Sequence, residues 1–216
     1  MADPLAAVHD GLDAALELAG LRVRRRALLA SASGQVVELG AATGGNLGLY
    51  DGDRVGMVVA LEPHPGLRRR LLARVAGAPV TVEVHEAGIG DCGLPDGYAD
   101  TVVSTLALCR EPELVEALAA VRRLLRPDGS LLFLEHVRTP GPLGSLQRVA
   151  SPGWARVRHG CRLDRDVPAA AREAGLVVTE CEHFTLRPPN PFLRTAVVGS
   201  ARPLPAVGKA EGGAGR

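Results

Sequence analysis

Short apolar, β-branched runs alternate along the chain with stretches whose apolar positions recur at helical spacing. Residues 35–39, 55–61, 80–84, 100–104 and 130–135 have the first character and are expected to be strands; residues 66–75 and 113–125 have the second and are expected to be helices. A helix over 167–174, ended by Gly175, leads into two more strand-like runs at 176–184 and 193–200, which read as a closing antiparallel hairpin. Strands in alternation with helices predict an α/β chain: a Rossmann-like three-layer sandwich whose seven-stranded sheet is mostly parallel, with a C-terminal antiparallel hairpin strand.

Around this frame the pattern changes. Residues 4–30 carry Leu5, Val8, Leu12, Ala15, Leu16 and Leu28 at helical spacings with a break at Gly20, so residues 1–33 are expected to form an N-terminal helical cap on a domain spanning 34–202. Arg-Pro-Asp-Gly at 126–129 punctuates a helix-to-strand step. From 136 to 165 the periodicity fails while Pro140, Pro142, Pro152, Gly141, Gly144 and Gly153 accumulate, which predicts an irregular, substrate-side insertion at the carboxyl end of a strand. Residues 203–216 are rich in Pro, Gly and Ala and are expected to be a disordered tail.

Composition narrows the chemistry. The 216 residues balance 25 basic against 24 acidic side chains for a net charge of +1, so no global field attracts nucleic acid or an anionic membrane. The sole lysine, Lys209, lies in the tail, which excludes a Schiff-base or P-loop lysine in the folded region. The four cysteines, Cys92, Cys109, Cys161 and Cys181, are widely spaced and form no CxxC pair, so reduced thiols in a cytoplasmic protein are expected and no metal site is written. Asp3, Asp10, Asp13 and Glu17 interrupt the N-terminal apolar stretch, and no run reaches the roughly 20 residues that cross a bilayer; no stable membrane insertion is expected. The arginine clusters at 22–26 and 68–70 are read as solvated faces.

Two elements point to a nucleoside. The first strand ends in Glu38-Leu39-Gly40-Ala41-Ala42-Thr43-Gly44-Gly45-Asn46, where small residues let backbone amides approach a ligand at the sheet crevice. The second strand ends at Glu62-Pro63, an acidic residue 18 positions beyond Gly44 that can accept from both hydroxyls of a ribose. Gly40-x-Ala42-x-x-Gly45 approximates a dinucleotide fingerprint, but Glu38-x-Gly40-x-Ala42-x-Gly44 better resembles the E/D-x-G-x-G-x-G signature of class I S-adenosylmethionine-dependent methyltransferases.

The resemblance extends from about residue 35 to 200. Leu94-Pro95-Asp96-Gly97-Tyr98-Ala99-Asp100-Thr101-Val102-Val103 and Leu124-Leu125-Arg126-Pro127-Asp128-Gly129-Ser130 resemble the leads into the family's fourth and fifth strands. Thr105-Leu106-Ala107-Leu108-Cys109, Phe133-Leu134-Glu135-His136-Val137 and Gly160-Cys161-Arg162-Leu163-Asp164-Arg165 resemble the branch of small-thiol S-methyltransferase-like proteins, a neighbour of the ubiquinone/menaquinone C-methyltransferases.

The resemblance implies S-adenosyl-L-methionine as cofactor and a small-molecule methyl acceptor, a thiol, phenol, amine or carbon acid, handled by a monomer or homodimer. By position, Gly40, Ala41, Ala42, Thr43 and Gly44, with Asn46, bracket the methionine part while Glu38 holds the turn and the amino group; Glu62, with Pro63, holds the ribose; and Thr105 and Leu106 pass beneath the methionine. At the adenine end Gly88, Ile89 and Asp91 leave two options: Ile89 packs on the ring, or Asp91 accepts from its amine. Ala42 departs from the family's glycine.

Methyl transfer asks chiefly for in-line positioning and exclusion of water. A base matters only where the acceptor holds its proton, and His136 and His159 are the candidates; Cys109, Trp154, Cys161 and Arg165 are expected to line the acceptor pocket. Two other classes stay in view: a nicotinamide-dependent oxidoreductase using the same turn, which lacks any Tyr-x-x-x-Lys pair, and a non-catalytic binding protein that keeps the fold.

Overall fold

The computed structural model describes residues 11, 14–157, 160–187 and 191–204. A π-helical turn, Glu17–Leu21, carries Gly20 at φ +103°, the expected break, and runs into α1 (Arg22–Leu29). Then follow β1 (Gly34–Leu39), β2 (Val55–Leu61), α2 (Pro65–Val75), β3 (Thr81–His85), β4 (Ala99–Thr105), α3 (Leu114–Leu124), β5 (Leu125–His136), α4 (Pro142–Val157), α5 (Val167–Glu173), β6 (Leu176–Thr185) and β7 (Thr195–Pro203).

The strands form one seven-stranded sheet in the order β3-β2-β1-β4-β5-β7-β6. β1 to β5 run parallel, and β7 inserts antiparallel between β5 and the edge strand β6. Order reverses at β1, whose two neighbours are β2 and β4, so the crevice at a topological switch point opens above the carboxyl ends of β1 and β4.

The strands are apolar throughout because successive side chains enter different cores. Val37, Val59, Val102, Leu131 and Phe133 pack on the face covered by α3 and α5. Val36, Val58, Val103, Leu132 and Leu134, one residue out of step, pack on the other face with Leu21 and Leu29 of the N-terminal helices.

Three expectations need correction. The stretch 136–165 is not irregular: it contains α4, sixteen residues long. Its buried face is Gly144, Gln147 and Ser151, at helical spacing but without an apolar side chain, so hydrophobic periodicity could not reveal it. A Cβ on Gly144 would collide with the Thr139 carbonyl. Gln147 is fully buried, accepting from Thr139 N at 2.7 Å and donating to Phe192 O at 2.9 Å. The helix starts on Pro142, where a missing N–H costs nothing, and carries Pro152 within it.

The Arg-Pro-Asp-Gly turn lies inside β5 as a shift of register, Leu125 pairing with Ala99 and Ser130 with Thr101. The arginine runs are not uniformly solvated either. Arg25 is buried against Glu17 at 3.1 Å, and Arg68 spans to Glu86 at 2.7 Å while donating to the carbonyls of Glu62 and Pro63. Of the helical positions expected at the N-terminus, Leu5, Val8 and Leu12 lie outside the described residues, as does the tail beyond Leu204.

Candidate cofactor and acceptor site

The turn after β1 winds through left-handed backbone at Gly40 (φ +53°), Ala42 (φ +52°) and Gly44 (φ +85°). A Cβ on Gly40 would stand 3.0 Å from the Cβ of Ala107, so the turn and the loop after β4 touch where only glycine fits. Ala42 holds its conformation at a cost of ~1–2 kcal/mol relative to glycine. Neighbours hold it there: Ala41 N donates to Leu61 O at 2.9 Å, Ala42 N to Glu62 Oε2 at 2.8 Å, and Arg74 to the Thr43 carbonyl at 2.8 Å and hydroxyl at 3.1 Å.

Beneath the turn Glu38 is buried and accepts from Asn46 Nδ2 at 3.0 Å and from the Tyr50 hydroxyl at 2.7 Å. Burial pushes the Glu38 carboxyl up to about 7, against the pull of those two hydrogen bonds and of the Arg25 charge. Burial, then the carboxylate beside it, pushes the Tyr50 hydroxyl well above its ordinary value. Asn46 Nδ2 also donates to Thr105 Oγ1 at 2.9 Å, so three residues expected at the methionine end are joined. Asn46 Oδ1 is buried without a hydrogen-bond partner, an acceptor with room for a donor.

Glu62 is buried at the tip of β2, where it ties two backbone segments together. Its Oε2 accepts from Ala42 N and its Oε1 from His64 N, both at 2.8 Å; each oxygen retains a lone pair for a ligand hydroxyl. His64 Nδ1 in turn accepts from Gly66 N at 3.2 Å and caps α2. Pro63 is exposed beside it. After β3, Ile89 is buried, while the exposed Asp91 accepts from Gly88 N at 2.8 Å, tightening that segment.

The loop after β4 is built on Glu135. This carboxylate at the end of β5 is fully buried; Oε1 accepts from Ser104 Oγ at 2.5 Å and from Ala107 N and Leu108 N at 3.1 Å, and Oε2 from Cys109 N at 3.0 Å. Burial raises it above the usual carboxylate range and these donors pull it back. Leu106, at φ +59°, is a second non-glycine residue in left-handed backbone, forced there while its N–H reaches Leu134 O at 2.8 Å.

This loop delivers Cys109 to a buried cluster. Arg162 N donates to Cys109 O at 2.9 Å, which lays the segment after α4 along the loop and brings Cys161 beside Cys109. One ligand-type atom from each of Cys109, His136 and Cys161 lies within 4.8 Å of the others, and all three residues are buried. The Cys109 thiol hydrogen bond, with help from His136 and Trp154, holds Cys161 down to about 4 against the opposing effect of burial. Cys109 is driven up, first by that same hydrogen bond and then by burial. Neither ring nitrogen of His136 has a hydrogen-bond partner of ordinary geometry.

The half-buried Trp154 reaches the cluster from α4. Arg165 donates to the carbonyls of Glu111 and Pro112, so it pins the segment to the loop before α3. His159 lies outside the described residues.

Sequence reasoning assigned no role to Tyr50, Arg74 or Glu135, which organise the turn and the loop. Glu135 alone left a signal: a carboxylate directly after the apolar run 131–134 must find donors if that run is a central strand.

Residues 37–133 match the family model described as a methyltransferase domain. Two human proteins, thiol S-methyltransferases TMT1B and TMT1A, are 38% identical over 64% of this chain and 59% of theirs, and 32% identical over 69% and 62% respectively. The chain thus spans about 60% of the length of these relatives. A solved S-adenosylmethionine-dependent methyltransferase from Mesorhizobium loti shares the fold at TM-score 0.59 and 19% identity, covering 82% of this chain and 95% of that one.

The residues present fit S-adenosylmethionine: the left-handed turn at Gly40, the spare lone pairs on Glu62 and the unpartnered Asn46 Oδ1 all belong to the segments that follow β1 and β2. No helix among the described residues is long and apolar enough to cross a membrane. Residues 37–133 are thus matched as a methyltransferase domain, and seven strands in this order with β7 reversed give the chain the fold of S-adenosylmethionine-dependent methyltransferases.

Proposed function

We propose that the chain transfers the methyl group of S-adenosylmethionine to a small thiol. The observation that carries this reading is the buried Cys109, His136 and Cys161 cluster, reached from the cofactor turn through the Gly40 to Ala107 contact. The two human relatives bear the name thiol S-methyltransferase, which supports the same acceptor class.

Gly40, Ala41, Ala42, Thr43, Gly44 and Asn46 bind the methionine end, with Glu38 orienting Asn46; Glu62 takes the ribose hydroxyls and Ile89 covers the adenine. Bound there, the cofactor supplies an electrophilic methyl group on a sulfonium. The protein's part is alignment and exclusion of water, which we assign to Ala107, against the turn at Gly40, and to Trp154, beside Cys161. A free thiol has a pKa of ~8.5 and must lose its proton to attack. His136 is the buried nitrogen base at that place, and it is the group we assign to this step in the unliganded cluster. The cysteines among the described residues are free, which favours a reducing compartment such as the cytoplasm.

Labelled S-adenosylmethionine offered with matched panels of thiols, phenols and amines tests the reading. Label is expected in the thiols; label confined to phenols or amines would overturn the acceptor class.

A further inference from the structure

We infer that Cys109, His136 and Cys161 form a three-ligand site for one thiophilic divalent cation of zinc-like chemistry, with its fourth position open to the acceptor thiol. The open position rests on the reading of the acceptor above; the cation site does not.

Geometry carries the site. Three ligand atoms of the types such a cation prefers lie within 4.8 Å of one another. Around a tetrahedral zinc with bonds of about 2.3 Å to sulfur and 2.0 Å to nitrogen they would stand about 3.5–3.8 Å apart, a contraction that side-chain rotation can supply. The ligands come from three rigidly held places: the loop that Glu135 grips, the last residue of β5, and the segment that Arg162 N ties to Cys109 O. Sequence spacing gives no hint of them because they meet only through the fold.

A second observation points to a missing partner. His136 is only 5% exposed, yet neither ring nitrogen has a hydrogen-bond partner of ordinary geometry. A buried polar group left unsatisfied is destabilising, and coordination would satisfy one nitrogen. Charge agrees: two thiolates and a neutral imidazole balance a divalent ion, so the loaded site buries no net charge.

Three protein ligands leave one position open, the arrangement of catalytic rather than structural zinc. An acceptor R–SH that takes this position releases its proton to solvent and binds as R–S⁻. The sulfur lone pair then forms the S–CH3 bond as the sulfonium's S–CH3 bond breaks, leaving a neutral thioether and S-adenosylhomocysteine. With the ion present, ionisation no longer needs His136 as base, and the ring serves as ligand.

The test uses the full chain, reduced with a non-thiol reductant, titrated anaerobically with Co2+. We expect a thiolate-to-cobalt charge-transfer band that saturates at one ion per chain. It should vanish in Cys109→Ser and in Cys161→Ser, weaken at least tenfold in His136→Ala, and persist in Cys181→Ser, which alters an exposed cysteine on β6. S-Adenosylhomocysteine binding by each variant reports that it is folded. Addition of a small thiol should shift the spectrum.

No band, or a band that survives both Cys109→Ser and Cys161→Ser, overturns the cation site. A band insensitive to added thiol overturns the open position. A chelator-treated chain that binds S-adenosylhomocysteine and methylates thiols at an unchanged rate refutes the cation's part in catalysis while leaving the proposed function standing. Co2+ binding without any methyl transfer to thiols does the reverse.

Discussion

The carboxylate of Glu62 accepts a hydrogen bond from the backbone N–H of Ala42 at 2.8 Å, so the residue expected to grip a ribose also holds the cofactor turn in shape. The proposed ribose role would couple cofactor affinity and turn stability through this one side chain. Glu62→Ala is expected to weaken S-adenosylhomocysteine binding at least tenfold, since hydrogen bonds to a charged group are worth ~1.5–3 kcal/mol. It should also lower the melting temperature of the cofactor-free protein. Calorimetry and thermal melts check both, and a melting point unchanged from wild type would mean the Ala42 contact contributes nothing.

Ala42 itself offers a gain. At φ +52° it sits where glycine pays no steric penalty. Relief of ~1–2 kcal/mol exceeds the ~0.4–1 kcal/mol that glycine loses through the unfolded chain. Ala42→Gly is predicted to stabilise the protein modestly, by ~1 kcal/mol in urea denaturation, and Ala42→Val to destabilise it.

Glu38 sets a pH dependence. Its carboxyl is raised from the usual 4.5 to about 7 by burial, so between those values the native state binds more protons than the unfolded chain. Stability then falls as pH rises through that window and levels off above about 7. The expected fall from this group is on the order of 3 kcal/mol, at 1.36 kcal/mol per unit. Buried Glu135 acts in the same direction, so the informative quantity is the difference between wild type and Glu38→Gln. The variant should show a flatter profile between pH 5 and pH 7; an identical slope would assign the effect elsewhere.

Glu135 supports the loop that carries Leu106 and Cys109 through three backbone N–H groups. Glu135→Ala leaves those donors buried and unsatisfied at ~1–3 kcal/mol each before relaxation. We expect a loss of several kcal/mol in chemical denaturation, with Glu135→Gln milder because its amide oxygen still accepts. Equal stability of wild type and Glu135→Ala would show that the loop is held by packing alone.

His136→Ala should slow turnover while leaving S-adenosylhomocysteine affinity within about twofold, because His136 stands with the cysteines and not with the turn residues. Steady-state kinetics beside calorimetry separates the two, and unchanged turnover at neutral pH would remove His136 from the proton-handling step.

How much of this could be read from the residues depended on whether burial was apolar. β2 spans 55–61 as its β-branched run suggests, and the reversed hairpin at the end of the sheet followed from the runs at 176–184 and 193–200. α4 stayed hidden because Gly144, Gln147 and Ser151 make its inner face, and their periodicity is one of size and hydrogen bonding. The tight turn after β1 was legible, since the spacing of Gly40 and Gly44 marks the left-handed backbone found there. The donors that Glu135 finds and the meeting of Cys109 with Cys161 were not, because each depends on segments 26 to 52 residues apart in sequence.

The account stands on the crevice at the carboxyl end of β1 holding a nucleoside sulfonium. Titration calorimetry of the full chain with S-adenosylhomocysteine and, separately, with NAD addresses it most directly. One S-adenosylhomocysteine per chain, an affinity cut at least tenfold by Glu62→Ala, and no heat with NAD is the predicted result; saturable binding of NAD with none of S-adenosylhomocysteine would contradict it.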